Sequence, residues 1–185
     1  IELDQALLIR GFEDALAGNA KIDEEKIREV LTELDTSVRT KQEAKAKVES
    51  EKSKEAGVKY LADNAKKEGV TVTESGLQYE VLSEGDGEKP AATDVVKVHY
   101  KGTLLDGTEF DSSYARNEPT TFPLNRVIAG WTEGLQLMSV GSKYKFTIPS
   151  ELAYGDRDLG KIPANSTLVF EVELLEIQNE EAPAQ

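Results

Sequence analysis

The chain has 185 residues, 38% of them hydrophobic and 31% charged, with a net charge of −13, one histidine and no cysteine. That length suits one ordinary domain, or a small domain with an extension. The acidic balance argues against nucleic acid and anionic membranes as partners, since both need clustered Lys and Arg; the missing cysteines remove disulfides and thiolate chemistry, and no apolar run is long enough for a membrane span.

Residues 1 to about 70 read as helical. In "IELDQALLIRGFEDALAG", Leu3, Leu7, Leu8, Phe12, Ala15 and Leu16 recur at helical spacing, and Gly18-Asn19 ends the helix. A second helix is expected to begin at Asp23, whose carboxylate can cap free N–H groups, and to run to Gly69. At roughly 1.5 Å per residue it would be a rod on the order of 65 Å. Ile27, Val30, Leu31, Leu34 and Val38 form an apolar stripe near its start, and Tyr60, Leu61 and Ala65 form another near its end. The middle, "RTKQEAKAKVESEKSKEAG", is rich in helix formers and opposite charges. It reads as a solvated helical arm between two packed ends, with disorder as the alternative.

From residue 70 the period changes to two. "LQYEVL" (77–82) alternates, and "VVKVHYKGTL" (95–104) puts Val96, Val98 and Tyr100 on one face and Lys97, His99 and Lys101 on the other. Asp106-Gly107 is a hairpin signal. "KYKFTIP" (143–149) and "TLVFEVELLEI" (167–177) supply further strands, the second with Leu168, Phe170, Val172 and Leu174 on one face. Trp131 to Met138 has room for a short helix. The plan is α+β, a small antiparallel sheet wrapped on that helix and preceded by a helical region with one long linker helix. The end, "QNEEAPAQ", is polar and reads as a loose tail.

Few residues offer reactive chemistry. A catalytic triad or a zinc site would rest on His99 alone, which alternation turns toward solvent. "GDGEKP" (85–90) lacks the pattern of a phosphate-cradling loop, and "DRDLG" (156–160) lacks the later ligands of a calcium loop. What remains is an apolar set: Tyr100, Phe110, Phe122, Val127, Ile128, Trp131, Tyr154, Ile162 and Phe170. A plain hydrophobic core is one reading of it. Asp111, directly after Phe110, favours another, because a carboxylate at the edge of an aromatic cluster needs a partner. Arg116 and the Tyr100 hydroxyl are within reach in sequence, and an apolar pocket with a few converging polar groups is what small-ligand sites look like.

Three segments then carry a resemblance. "VHYKGTLLDGTEFDSSYARNEP", "FPLNRVIAGWTEGLQLMSVGSKYKFTIPSELAYG" and "IPANSTLVFEVELLEI" resemble the FK506-binding-protein (FKBP) type of peptidyl-prolyl cis–trans isomerase over about residues 72 to 177. The helical part, with "GFEDALAG", resembles the long-helix bacterial FKBPs of the FkpA/Mip group. The resemblance implies four parts: residues 1–22 as the remnant of a dimerisation domain, 23–69 as the arm, 70–178 as the isomerase domain and 179–185 as the tail. It implies rotation of X–Pro bonds in unfolded or partly folded polypeptides, with chaperone activity; a client-holding chaperone with isomerisation secondary is the alternative.

By the same resemblance, Trp131 would be the floor under a proline ring, and Tyr100, Phe122, Val127, Ile128 and Phe170 the walls, beside Phe110. The Ile128 N–H and the Tyr154 hydroxyl would hold peptide carbonyls. Asp111 would lie near the carbonyl of the rotating bond, braced by Tyr100 and Arg116, with Ile162 closing the pocket. No cofactor or metal is implied. Macrolides like FK506 or rapamycin are implied ligands, a homodimer is expected where further helices lie upstream, and the periplasm is the expected compartment, with the cytoplasm as alternative. Thr120 replaces a phenylalanine of the small cytosolic members, Arg126 a glutamate and Ala164 a frequent proline, and the loop "GDRDLGKIPA" lacks their histidine. These departures touch the rim and leave the floor intact.

Overall fold

The computed structural model describes residues 5–19 and 24–178. The chain divides into two units, Ile1–Lys45 and Ala46–Gln185. α1 (Gln5–Leu16) lies in the first unit, and α2 (Glu24–Asn64) begins there and ends in the second. Gly18 follows α1 at φ 70°, the left-handed stop expected of Gly18-Asn19. The expected cap Asp23, Leu3 and the tail 179–185 lie outside the described residues, as does the side chain of Leu8.

α2 stays helical throughout its charged middle, so the helical reading holds there over disorder. Arg39 and Glu43 pair at 2.8 Å at the i,i+4 spacing, on the surface. The apolar start of α2, however, is not packed. Ile27, Val30, Leu31 and Leu34 are 42–58% exposed, and Leu7, Phe12 and Leu16 of α1 are 66–75% exposed. Among the described residues the first unit has no further layer to cover these side chains.

The end of α2 is packed, but not on the apolar residues alone. Ala65 is exposed, whereas Ser50, Ser53, Gly57, Tyr60, Leu61 and Asn64 are buried or half-buried. Their spacing makes one helical face of mostly small and polar groups. Asn165 Nδ2 donates to Ser50 Oγ at 2.8 Å, Asn64 Nδ2 to Gln78 Oε1 at 2.9 Å, and Gln78 Nε2 to the Leu61 carbonyl at 2.9 Å. Gly57 lets the helix backbone approach Thr167, whose Oγ1 is 2.5 Å from where a Cβ would stand. The arm is therefore docked from about Ser50 onward, and its solvated part is shorter than expected. The helix ends at Asn64, five residues before Gly69; tight turns follow, and Gly69 at φ 83° leads into the sheet.

The strands are β1 (Val70–Val72), β2 (Gln78–Ser83), β3 (Val95–Thr103), β4 (Glu109–Ser112), β5 (Thr120–Pro123), β6 (Lys143–Ile148) and β7 (Leu168–Gln178), with α3 (Ala129–Leu135) before β6. All pairings are antiparallel, in the order β1-β2-β6-β7-β3-β4, and β5 pairs with the first half of β3. β1, β4 and β5 are new relative to the sequence reading. Val96, Val98 and Tyr100 of β3 and Leu168, Phe170, Val172 and Leu174 of β7 turn into one core, as alternation predicts.

α3 lies on this core through Trp131 and Leu135. Gly130 and Gly134 bring its backbone down onto β6: added Cβ atoms would stand 2.5 Å from Ile148 Cγ2 and 2.6 Å from Phe146 Cε1. Alanine at position 134 gains roughly 1 kcal/mol in helix propensity, but it overpacks a fixed ring. Gly134→Ala is therefore expected to lower the unfolding free energy by about 1–3 kcal/mol in urea titration. Among the described residues no helix is long and apolar enough to cross a membrane.

Candidate active site

The mouth of the second unit holds a cavity of about 800 Å³. Its lining brings together Tyr100, Phe110, Asp111, Phe122, Val127, Ile128, Trp131, Tyr154, Ile162 and Phe170, ten of the residues singled out from sequence. They arrive from separate elements. β3 supplies Tyr100, β4 supplies Phe110 and Asp111, β5 supplies Phe122, α3 supplies Trp131 and β7 supplies Phe170. Val127 and Ile128 enter from the turn before α3, and Tyr154 and Ile162 from the loop between β6 and β7.

Trp131 is 4% exposed and lies at the centre of an aromatic box. Its ring meets Tyr100 at 5.2 Å, Phe122 at 5.5 Å and Phe170 at 5.2 Å, each nearly edge-to-face. Phe110 meets Phe170 the same way at 5.5 Å. Such pairs place the positive ring edge on the negative face of a neighbour and hold the walls in fixed orientations. The indole Nε1 is buried and has no hydrogen-bond partner among the described residues. Ile128 opens α3 as its cap, and its own N–H makes no hydrogen bond among the described residues; neither does the Tyr154 hydroxyl. Among the described residues the lining therefore offers two donors with no intramolecular acceptor, the Ile128 N–H and the Tyr154 hydroxyl, while the Trp131 N–H is unpartnered but buried.

Asp111 has the partners its position demands. The Tyr100 hydroxyl donates to Oδ2 at 2.6 Å and Arg116 Nη1 donates to Oδ1 at 2.6 Å. Arg116 Nη2 closes the triangle by donating to the Tyr100 oxygen at 2.9 Å. Arg116 itself stands behind the wall rather than in the lining. Burial opposes ionisation of Asp111, but the hydrogen bonds from Tyr100 and Arg116 outweigh it, so its carboxyl lies below the ordinary value of 3.8. Burial, then the Asp111 carboxylate, pushes the Tyr100 hydroxyl up, so it stays a donor.

Because the folded-state pKa of Asp111 is depressed, the stability it contributes is fully present above 3.8 and is lost as pH falls through the lower folded value. Titrations following Trp131 fluorescence are thus expected to show a constant aromatic box from neutral pH down to about 5, changing only below about 4. A transition centred near 6 would contradict this bonding of Asp111.

His99 lies on the opposite face of β3, as expected, but it is half-buried instead of freely solvated. Its Nδ1 is 2.9 Å from Ser113 Oγ and its ring stacks on Tyr114 at 4.7 Å. It does not reach the cavity. The lining also contains Arg126, Ala129, Ala153, Arg157, Leu159 and Lys161, none of which was assigned a site role from sequence, although Arg126 and the loop of Arg157 and Lys161 were expected at the rim. Arg126 and Ala129 flank Val127 and Ile128; Arg157, Leu159 and Lys161 follow Tyr154, and that neighbourhood was the available signal.

The chain is similar to known proteins. Residues 86–175 match the family model of FKBP-type peptidyl-prolyl cis-trans isomerases, and residues 1–81 match the domain amino-terminal to such isomerases. The chain is 56% identical over 178 residues to the FKBP-type peptidyl-prolyl cis-trans isomerase FkpA of Aeromonas hydrophila, covering 96% of this chain and 66% of that protein. It is 53% identical to the FKBP-type 22 kDa peptidyl-prolyl cis-trans isomerase of Escherichia coli, covering 92% of this chain and 82% of that one. The crystal structure of FkpA from Escherichia coli superposes with a TM-score of 0.78 at 44% identity, covering 96% of this chain and 84% of that chain.

Proposed function

The chain belongs to the family of FKBP-type peptidyl-prolyl cis-trans isomerases, and from that premise we propose that its cavity accelerates X–Pro rotation in unfolded and partly folded polypeptides. The observation that carries this reading is the aromatic box around Trp131, with a carboxylate held ionised at its edge and unpartnered donors beside it. Amide resonance sets a rotational barrier of about 18–20 kcal/mol, and an X–Pro bond takes tens to hundreds of seconds without help. No bond is made or broken. A site lowers the barrier by binding the twisted amide better than the planar one.

In this reading Trp131 carries the proline ring, with Tyr100, Phe110, Phe122, Val127 and Phe170 around it. The apolar walls favour the twisted amide, whose resonance dipole is reduced. The Ile128 N–H and the Tyr154 hydroxyl donate hydrogen bonds to the flanking peptide carbonyls. Asp111 lies by the carbonyl of the rotating bond, fixed by Tyr100 and Arg116. Ile162 closes the site. Macrolides like FK506 would occupy the same floor and compete with peptide. A protease-coupled tetrapeptide assay, with FK506 as competitor, tests the assignment.

The first unit favours a second activity. Leu7, Phe12, Leu16, Ile27, Val30, Leu31 and Leu34 expose apolar surface that needs a cover. We propose that this surface joins two copies of the chain and that the dimer holds clients. Removing residues 1–45 should leave tetrapeptide kcat/KM within about twofold while suppression of client aggregation is lost. The cut belongs at 45 because Ser50, Gly57 and Asn64 dock on the isomerase domain. In sedimentation, Phe12→Asp with Leu31→Asp is expected to give the monomer mass; an unchanged dimer would place the interface elsewhere. Periplasmic location is likewise proposed, from the resemblance of the long arm to periplasmic members, and fractionation of cells carrying the complete gene tests it against the cytoplasm.

A further inference from the structure

The cavity rim is charged in the sense opposite to the molecule. Three of its lining residues are cationic: Arg126, in the turn before Val127, and Arg157 and Lys161, in the loop after Tyr154. All three are exposed, and among the described residues none pairs with a carboxylate; Arg157 Nε donates, at 3.4 Å, to the Tyr154 carbonyl. Asp111 is the one carboxylate in the lining, and Arg116 and Tyr100 already occupy its oxygens. Asp156 and Asp158 are near in sequence but line no part of the cavity, and Asp158 Oδ1 accepts the Gly160 N–H. A chain of net charge −13 thus surrounds its cavity mouth with unpaired positive groups on two sides.

We propose that Arg126, Arg157 and Lys161 select polypeptide segments bearing Asp or Glu within a few residues of the proline. This rests on the isomerase reading of the cavity. The floor and walls hold the proline and set the chemistry, whereas the rim meets whatever follows the chain out of the cavity. Charges at a rim act through long-range attraction and are screened by salt, so they favour one client over another without touching the rotating bond. The remaining negative surface repels acidic chains elsewhere and leaves the mouth as their favoured approach.

The test uses the full chain and two peptides, Ac-Ala-Glu-Leu-Pro-Phe-Glu-Ala-NH2 and its Lys twin. Trp131, the sole tryptophan, reports binding by fluorescence, and NMR exchange reports cis–trans turnover. At low salt the Glu peptide is expected to bind about tenfold more tightly than the Lys peptide. The ratio should fall toward one in 0.5 M NaCl, and below one in the triple variant Arg126→Glu, Arg157→Glu, Lys161→Glu. Equal affinities at low salt, or a ratio unchanged in the variant, would overturn the proposal while turnover of both peptides left the isomerase reading standing. A clear Glu preference without turnover would uphold the rim and sink the isomerase reading. Binding of neither peptide would overturn both.

Discussion

Asp111→Leu is expected to lower kcat/KM for a proline tetrapeptide by roughly 10- to 150-fold, the equivalent of about 1.5–3 kcal/mol for a hydrogen-bonded charge. The substitution removes the acceptor shared by Tyr100 and Arg116, which bond it at 2.6 Å each. It leaves a guanidinium and a phenol without their anion beside an aromatic wall. Leucine fills similar space, so the floor formed by Trp131 remains. Asp111→Asn is the sharper comparison, because it keeps the shape and one acceptor while deleting the charge. If the carboxylate acts on the rotating amide, Asn lies between wild type and Leu, with the loss in kcat. A loss confined to KM would assign Asp111 to holding the ground state.

Trp131→Ala has the largest expected effect on the fold. The side chain is 4% exposed and contacts Tyr100, Phe122 and Phe170 edge-to-face. Cutting a buried indole to a methyl costs about 3–5 kcal/mol, since the surrounding rings can collapse only in part. Urea unfolding reads this directly. Activity should be lost as well, but that loss mixes catalysis with packing. Trp131→Phe separates them: it keeps an aromatic floor and deletes the indole Nε1–H, which is buried without a partner. Phe is expected to cost much less stability than Ala and to retain part of the turnover. A Phe variant as unstable as Ala would mean the indole N–H has a partner that matters.

Much of the second unit was legible because burial there follows a simple period. Val96, Val98 and Tyr100 alternate in β3, and Leu168 to Leu174 alternate in β7, so one face of each strand announced the core. β1, β4 and β5 were not visible, because three or four residues hold too little of the period to register. The docked face of α2 was missed for a different reason. Ser50, Ser53, Gly57 and Asn64 pack by hydrogen bonds and close backbone approach, so a search for apolar stripes passes over them. At Ile27 to Leu34 an apolar stripe suggested packing, and the described residues of a single chain leave it exposed.

In the site, the aromatic residues and Asp111 stood out because an acidic residue beside an apolar cluster demands an explanation. Arg126 and the loop of Arg157 and Lys161 stood out only as departures at the rim and drew no role, since an exposed cation in a loop is what any surface contains. Only the fold brings the turn before Val127 and the loop after Tyr154 to one cavity mouth.

The most direct measurement is NMR exchange of a proline peptide in the presence of the protein. Uncatalysed, its cis and trans forms interchange over tens to hundreds of seconds. Catalytic amounts of the wild-type chain should bring exchange below a second, and the same amount of Asp111→Leu should leave it far slower. A peptide that binds at Trp131 while its exchange rate stays at the uncatalysed value would contradict the isomerase reading and leave the cavity a binding site alone.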